Sequence, residues 1–441
     1  MKSPICGGRP SPPAGAICGR VADQTPATAM RSSRRITGQG RLVTKRLGRR
    51  HPVIEEPTLS NIVRELFPAL PTINWDLVPL ERSVPAEIIE HPETSTPLFT
   101  ADELWQAVRK LPSGKAPGPD NIPNEIINLA AERSPEMFLE TFNACLTNSQ
   151  LPNRWKRAKL ILLHKGAGKP PDQPSSYRPI SLLDGGGKLL ERLLLNCLES
   201  HKERSGALSG LQFGFRRHRS TTDTIEEVIK AAREAGRGGV QNRHLCAVVT
   251  LDVKNAFNTA PWTLIDESLQ RSSVPEYLIR ILRSYMSERK VLIGGEGSTD
   301  GQNMKLSCGV RQGSVLGPTL WNLFYDGILR LPVQREAKLV AFADDIAIVA
   351  TAHNAELLEQ LVNPILSDIV KWTSDNGLRL APEKSECVLL TKKHGHGSPK
   401  LNIDGFQVSI KRAIRYLGVQ LDTRMTFVEH SVACIHYLLM F

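Results

Sequence analysis

Apolar positions along this chain keep two spacings, and the change from one to the other predicts its elements. Leu104, Ala107, Val108 and Leu111 recur at three- and four-residue intervals behind Thr100-x-x-Glu103, which has the form of a capping box. A helix is expected there, with others over 124–131 and 136–148 and a short one near 62–67. Leu189, Leu190, Leu193, Leu194, Cys197 and Leu198 make one stripe over 188–201. Residues 220–235 predict a helix capped at Ser220 and stopped by Gly236. Pro318 opens a helix with Leu320, Leu323, Phe324 and Ile328 on one face, and Ala355–Asp375 predicts a long one, kinked at Pro364 and ended by Asn376-Gly377. Compact apolar runs at 158–163, Leu245–Leu251, 339–342, 346–349, 377–380, 387–391 and 414–421 instead predict strands, although short runs of this kind also suit buried helix. There is no internal repeat. The mixture predicts an α+β fold, its helices segregated between strands of an antiparallel sheet.

Charge refines this picture. Of the 441 residues, the first 50 hold 11 Lys/Arg and one acid, Asp23, while the remainder hold 45 Lys/Arg and 44 acids. Of the net charge of +11, +10 therefore belongs to an N-terminal arm, which is rich in Gly, Pro, Ser and Arg and expected to be disordered. Such an arm suits a polyanion or a nuclear address, and a solvated tail equally. The eight cysteines are scattered, with no Cys-x-x-Cys, which argues against zinc and a disulfide framework and fits a reducing compartment. No signal core and no apolar run of about 18 residues is found, so an intracellular chain without a membrane span is expected.

The chemistry concentrates at Asp344 and Asp345, which sit between two strand-like runs in KLVAFADDIAIVA (338–350). Adjacent carboxylates at the tip of a buried hairpin repel each other unless a cation neutralises them. A solvated acidic turn is the plainer reading of that pair alone. Asp252, however, ends another apolar strand 92 positions earlier. If the strands are neighbours, three carboxylates meet at one end of a sheet. Oxygen-only ligands in small number suit Mg²⁺, and two ions about 3.5–4 Å apart clamp the attacking and leaving oxygens of an in-line phosphoryl displacement. Gly185-Gly186-Gly187-Lys188 lacks the GxxxxGK[ST] of a phosphate loop and reads as a helix-opening turn.

A series of motifs then runs in order: KAPGPD (115–120), SYRPISLL (176–183), QFGFR (212–216) with Ser220-Thr221, LDVKNAF (251–257), GVRQGSVLGP (309–318), FADD (342–345), GLRLAPEK (377–384) and RYLG (415–418). Together they resemble the reverse transcriptase of non-LTR (LINE-type) retrotransposons over some three-quarters of the chain. The resemblance implies a right-hand polymerase with fingers and palm, an antiparallel palm sheet packed on helices, and a thumb largely missing. It divides the chain into a basic arm (1–55), a partly ordered extension (56–98), fingers (99–240), palm with primer grip (241–422) and a truncated start of the thumb (423–441).

By the same resemblance Asp252, Asp344 and Asp345 are the catalytic carboxylates, joined as metal ligands by the Val253 carbonyl. They would hold two Mg²⁺ ions, with Mn²⁺ as substitute. Lys165 and Arg178 would hold the triphosphate, with Lys169 as an alternative to Lys165. Phe257 would select dNTPs against a 2′-hydroxyl, where a core aromatic is the simpler reading. Gln312 and Gly313 would line the nucleotide pocket, or else form only a turn before a helix. Lys384 would protonate pyrophosphate, or stand as an exposed lysine. Arg216, Arg217 and Arg219 would meet template phosphates, with a solvated loop as the rival, and Tyr416, Leu417 and Gly418 the primer. The partners implied are an RNA template, a DNA primer and dNTPs, in the nucleus or cytoplasm. The expected activity is RNA-directed DNA polymerisation. Because SVACIHYLLMF (431–441) stands where the thumb should begin, and no nuclease constellation precedes the fingers, the alternative is a catalytically inactive nucleic-acid-binding remnant, with any endonuclease supplied by another chain. A nucleotide cyclase would not need the fingers motifs, and no maturase segment follows the palm.

Overall fold

Thr100 closes the capping box that its sequence predicts. Its hydroxyl accepts from the Glu103 amide at 3.3 Å, and the Glu103 carboxylate accepts from the Thr100 amide at 2.9 Å. The computed structural model describes residues 54, 58–80, 96–166, 168–206, 208–237, 243–293, 302–393 and 395–439. The arm expected over 1–55 lies outside them apart from Ile54, as do residues 81–95 of the extension.

In chain order the helices are α1 (Thr58–Leu66), α2 (Ala101–Arg109), α3 (Asn124–Arg133), α4 (Pro135–Thr147), α5 (Gly185–Ser205), α6 (Thr221–Ala235), α7 (Ala256–Thr259), α8 (Trp262–Arg271), α9 (Glu276–Met286), α10 (Gly317–Tyr325), α11 (Ala355–Asp375) and α12 (Val428–Leu439). The strands are β1 (Arg157–His164), β2 (Tyr177–Leu182), β3 (Leu245–Leu251), β4 (Lys290–Ile293), β5 (Gln302–Lys305), β6 (Ala337–Phe342), β7 (Asp345–Ala352), β8 (Glu386–Leu390), β9 (Asn402–Ile403), β10 (Phe406–Gln407), β11 (Ser409–Lys411), β12 (Ala413–Tyr416) and β13 (Val419–Asp422).

The central sheet runs β11-β8-β3-β7-β6, and a second sheet runs β2-β1-β4-β5. Pairing is antiparallel except at β8–β11 and β1–β4, so neither sheet is wholly antiparallel as expected. Strand β3 sits in the middle of the first sheet and is covered on both faces. Leu245, Ala247, Val249 and Leu251 join the large core built with α8, α9, α10 and α11. Cys246 and Val248 face the other way, into a smaller core with Val228 of α6 and Ile414, Tyr416 and Leu421 of the β12–β13 pair. Burial on both faces is why β3 reads as one unbroken apolar run.

Two expected strands differ. Residues 377–380 form no strand; Leu380 makes a single bridge to Val253 because the chain turns there into the short helical turn Pro382–Lys384. Residues 414–421 are not one strand but a hairpin, since Leu417 (φ 46°) and Gly418 (φ 88°) both take the left-handed conformation of a tight two-residue turn. Gly185 to Lys188 form the first turn of α5, as a helix opening and not a phosphate loop.

Candidate active site

Register alone brings the acids together. Strand β3 pairs antiparallel with β7 as far as Leu251 opposite Ile346, so Asp252 leaves β3 beside Asp345 at the start of β7. Strands β6 and β7 pair as far as Phe342 opposite Asp345. Ala343 and Asp344 are therefore the two-residue loop of that hairpin, and all three carboxylates emerge from one end of the sheet.

Their electrostatics follow from this crowding. Burial raises the Asp344 carboxyl above its ordinary range; the charge of Asp252 adds to the effect and Arg178 opposes it. Asp345 opens on the cleft, yet the surrounding protein withholds water from it, and with Asp344 and Asp252 beside it the carboxyl is pushed up to about 7. Beneath them the phenol of Tyr325 is fully buried and driven far up, first by burial and then by the same three acids. Its hydroxyl reaches the Asp344 carbonyl at 3.5 Å.

Cations border the acids. Lys384 donates to Asp252 Oδ2 at 2.5 Å. Lys165 donates to the Ser175 carbonyl at 2.8 Å, and its ammonium is held down by burial and then by Arg178 and Lys384, with Asp252 acting against them. Arg178, exposed on β2, influences Asp344 as well as Lys165. These six side chains thus share one field. Backbone pairing fixes the segment below: the Asp252 carbonyl accepts from the Ala381 amide at 2.8 Å, and the Lys254 amide donates to Arg379 at 2.7 Å. Val253 is buried in between.

Phe257 is half-buried. Its ring stacks on Trp321 at 5.1 Å and meets Phe215 edge-on at 6.0 Å; Trp321 in turn stacks on Tyr325 at 4.9 Å. An aromatic column therefore links Phe257 to the Asp344 backbone. Gln312 joins the second sheet through its carbonyl, which accepts from the Ser181 amide at 2.8 Å. Gly313 has φ +111°, and a Cβ there would stand 2.5 Å from the Ser181 carbonyl oxygen, so only glycine fits. Tyr416 is buried in the smaller core, its phenol raised by burial and then by the charge of Asp345.

The arginines of 216–219 divide. Arg216 is turned onto its own loop, donating to the carbonyls of Ser209 at 2.6 Å and Gln212 at 3.0 Å. Arg217 is exposed and 3.9 Å from Glu203, and Arg219 lies over the Phe213 ring at 5.0 Å. Three further contributors were not singled out by sequence. Gln212 is fully buried against the hairpin loop, Glu191 of α5 accepts from the Val315 and Leu316 amides at 2.6 and 3.2 Å, and Asn322 donates to the Gly214 carbonyl at 2.7 Å. The polar residue on the apolar stripe of α5 was the available signal for Glu191.

A divalent metal fits this donor set by its chemistry. The donors are all oxygen, and two carboxyls are raised, first by burial and then by the acids beside them, a crowding that a divalent cation would relieve. Among the described residues no three His, Cys, Asp or Glu side chains close around a single point, and one oxygen of Asp252 is held by Lys384.

An antiparallel-strand mouth carrying three acids, faced by basic residues of a second sheet, is suited by its chemistry to metal-assisted phosphoryl transfer. The chain belongs to the family described as reverse transcriptase (RNA-dependent DNA polymerase), whose profile matches residues 165–421, and within it to the non-LTR retrotransposon branch. It is 30% identical over 352 residues to the RNA-directed DNA polymerase from mobile element jockey of Drosophila melanogaster, covering 78% of this chain and 38% of that protein. It is 30% identical over 340 residues to the Pol polyprotein of the type-1 retrotransposable element R1 of Bradysia coprophila, covering 76% and 32%. The chain thus spans about a third of the length of the curated relatives it matches. Among solved structures, telomerase from Candida albicans in complex with a fragment of telomeric RNA aligns with a TM-score of 0.43 and 12% identity, over 65% of this chain and 48% of that one. No helix among the described residues is long and apolar enough to cross a membrane. Reverse transcriptases as a family depend on a divalent metal.

Proposed function

We propose that this chain catalyses template-directed transfer of deoxynucleotides from dNTPs to a primer 3′-hydroxyl, copying RNA into DNA with Mg²⁺ in the site and Mn²⁺ as substitute. The observation that carries the reading is the shared field of Asp252, Asp344 and Asp345 with Lys165, Arg178 and Lys384. Asp252, Asp344 and the Val253 carbonyl would hold the metal, with Asp345 assisting. When bound, the metal pair acidifies the 3′-hydroxyl and offsets charge on the departing pyrophosphate. Arg178 offers the triphosphate a two-pronged fork and Lys165 a point charge. Phe257, braced by Trp321, presses on the sugar and rejects a 2′-hydroxyl. The Gln312-Gly313 backbone admits the nucleotide closely. As the 3′-oxygen bonds to the α-phosphorus, the bond to the β-phosphate oxygen breaks, and Lys384 protonates the leaving pyrophosphate.

In this reading residues 99–240 are fingers, 241–422 palm with Tyr416, Leu417 and Gly418 as primer grip, and 423–441 the start of a thumb. Arg217 and Arg219 meet template phosphates, whereas Arg216 shapes the loop that presents them. The protein works inside the cell, at the nuclear DNA that receives the copy.

The test is extension of oligo(dT) on poly(rA) with dTTP and Mg²⁺. Wild type should extend the primer, and Asp344→Asn should not while remaining folded. Wild type as silent as the variant, with both binding RNA, would establish the non-catalytic remnant instead.

A further inference from the structure

The hairpin loop that presents Asp344 is strained, and one buried side chain grips it. Ala343 has φ +61°, the left-handed region that alanine disfavours and glycine accepts. As the first of the two loop residues between Phe342 and Asp345, it stands where such loops ordinarily require positive φ.

Gln212 is fully buried, and its side-chain amide is committed to this loop. Oε1 accepts from the Ala343 amide at 3.1 Å and from the Gly214 amide at 3.0 Å, while Nε2 donates to the Ala343 carbonyl at 3.4 Å. Both polar groups of the Ala343 backbone are therefore tied to one side chain. The backbone on either side is locked as well: the Phe213 amide donates to the Ala341 carbonyl and the Ala341 amide to Leu211, each at 2.9 Å. Gly214 packs so closely that a Cβ there would stand 2.1 Å from the Ala343 nitrogen. Asn322 anchors Gly214 from behind.

We propose that Gln212 is a positioning residue: by holding Ala343 left-handed it fixes the direction in which Asp344 and Asp345 leave the loop. This rests on the reading of the acids as the polymerase centre. Gln212 touches no reacting atom. Its effect passes through the Ala343 backbone, because a loop whose φ changed sign would turn the following carboxylates away from Asp252.

The experiment compares wild type, Gln212→Ala, Ala343→Gly and the double variant on poly(rA)/oligo(dT), together with amide hydrogen exchange of residues 338–350 in the metal-free protein. Gln212→Ala should lower kcat at least tenfold, leave KM for dTTP and template–primer affinity within twofold, and speed exchange in the loop. Glycine at 343 takes the left-handed conformation unaided, so the double variant should regain most of the lost kcat and slow exchange again. A Gln212→Ala protein with wild-type kcat and exchange overturns the proposal, as does a loss that Ala343→Gly fails to rescue. If Gln212→Ala does not fold, the double variant must; failure of both shows a global role and overturns it too. If wild type itself is silent, the polymerase reading fails, while the exchange comparison still decides whether Gln212 holds the loop.

Discussion

The ammonium of Lys384 stands 2.5 Å from Oδ2 of Asp252, and the two arrive from segments 132 positions apart. A metal and Lys384 therefore compete for one carboxylate oxygen. Both side chains are substantially exposed, 55% and 35%, so the pair is worth only ~0.2–1 kcal/mol, and Lys384→Ala should lower the half-saturating Mg²⁺ concentration by up to about fivefold. If Lys384 also protonates pyrophosphate, the same variant loses roughly tenfold or more in kcat. Lys384→Arg separates the effects, since it keeps the charge but does not release a proton. Its Mg²⁺ dependence should stay near wild type while kcat falls as in the alanine variant. Primer extension across a Mg²⁺ series reads both.

The raised carboxyls give stability a pH dependence with a definite sign. Asp345 ionises at about 7 in the folded protein, and Asp344 is raised as well, whereas in the unfolded chain both ionise in the ordinary carboxylate range. Folding thus favours their protonated forms. Their stabilising contribution is full at low pH and is lost as pH rises through the folded value near 7. In EDTA, melting temperature should fall between pH 5 and pH 8 in wild type and fall less in Asp345→Asn. Mg²⁺ at pH 8 should raise the melting temperature of wild type, and raise that of the variant less, because Asp252 and Asp344 remain to hold the metal. Thermal melts across buffers check this, and a Mg²⁺-free melt that rises over the same interval would contradict it.

Phe257 is held by the Trp321 ring on one side and Phe215 on the other, so it cannot easily swing out of the cleft. Shortening it to valine removes the steric stop while leaving Trp321 to Tyr325 in place. Ribonucleotide use relative to deoxyribonucleotide should then rise by roughly tenfold or more, the scale of discrimination that a lost packing contact produces. Competing rTTP and dTTP in one extension assay gives the ratio directly.

What was legible in the sequence follows from burial. Strand β3 is covered on both faces, so its apolar run is uninterrupted and its ends are visible at Leu245 and Leu251. The β6–β7 hairpin is legible because two apolar runs leave Asp344 and Asp345 between them. The β12–β13 turn was hidden inside an apolar stretch, although Gly418 was its signal. Helices α8 and α9 lie in a stretch for which no element was predicted; there Asp266 and Arg283 bury one another, a pairing that leaves no local pattern. The grip of Gln212 on Ala343 spans 131 positions and leaves no local pattern. The three acids were thus visible at the ends of apolar runs, and the motif resemblance singled them out, whereas the contacts of the loop that carries two of them depend on which strands become neighbours.

The Arg283–Asp266 pair supplies a last prediction, because it fastens the N-terminal extension to the body. The guanidinium donates to Asp266 at 2.8 and 2.7 Å across α8 and α9, with side chains 9% and 0% exposed. It also donates to the carbonyls of Val78 at 2.9 Å and Pro79 at 3.2 Å, and lies 5.4 Å from the Trp75 ring centre. Removing one partner leaves the other charge buried alone, so Asp266→Ala should cost about 3–5 kcal/mol in urea unfolding. Replacing both by apolar residues of similar size, Asp266→Leu with Arg283→Met, should recover most of that loss. The Val78 carbonyl would still lose the Arg283 donor, and the Pro79 carbonyl would keep only the longer bond from Gln270 at 3.5 Å. Limited proteolysis should therefore cut near residues 75–80 faster in the double variant than in wild type, even where global stability is restored. Equal cutting in the two proteins would mean that packing of α1 and Trp75, and not Arg283, holds the extension down.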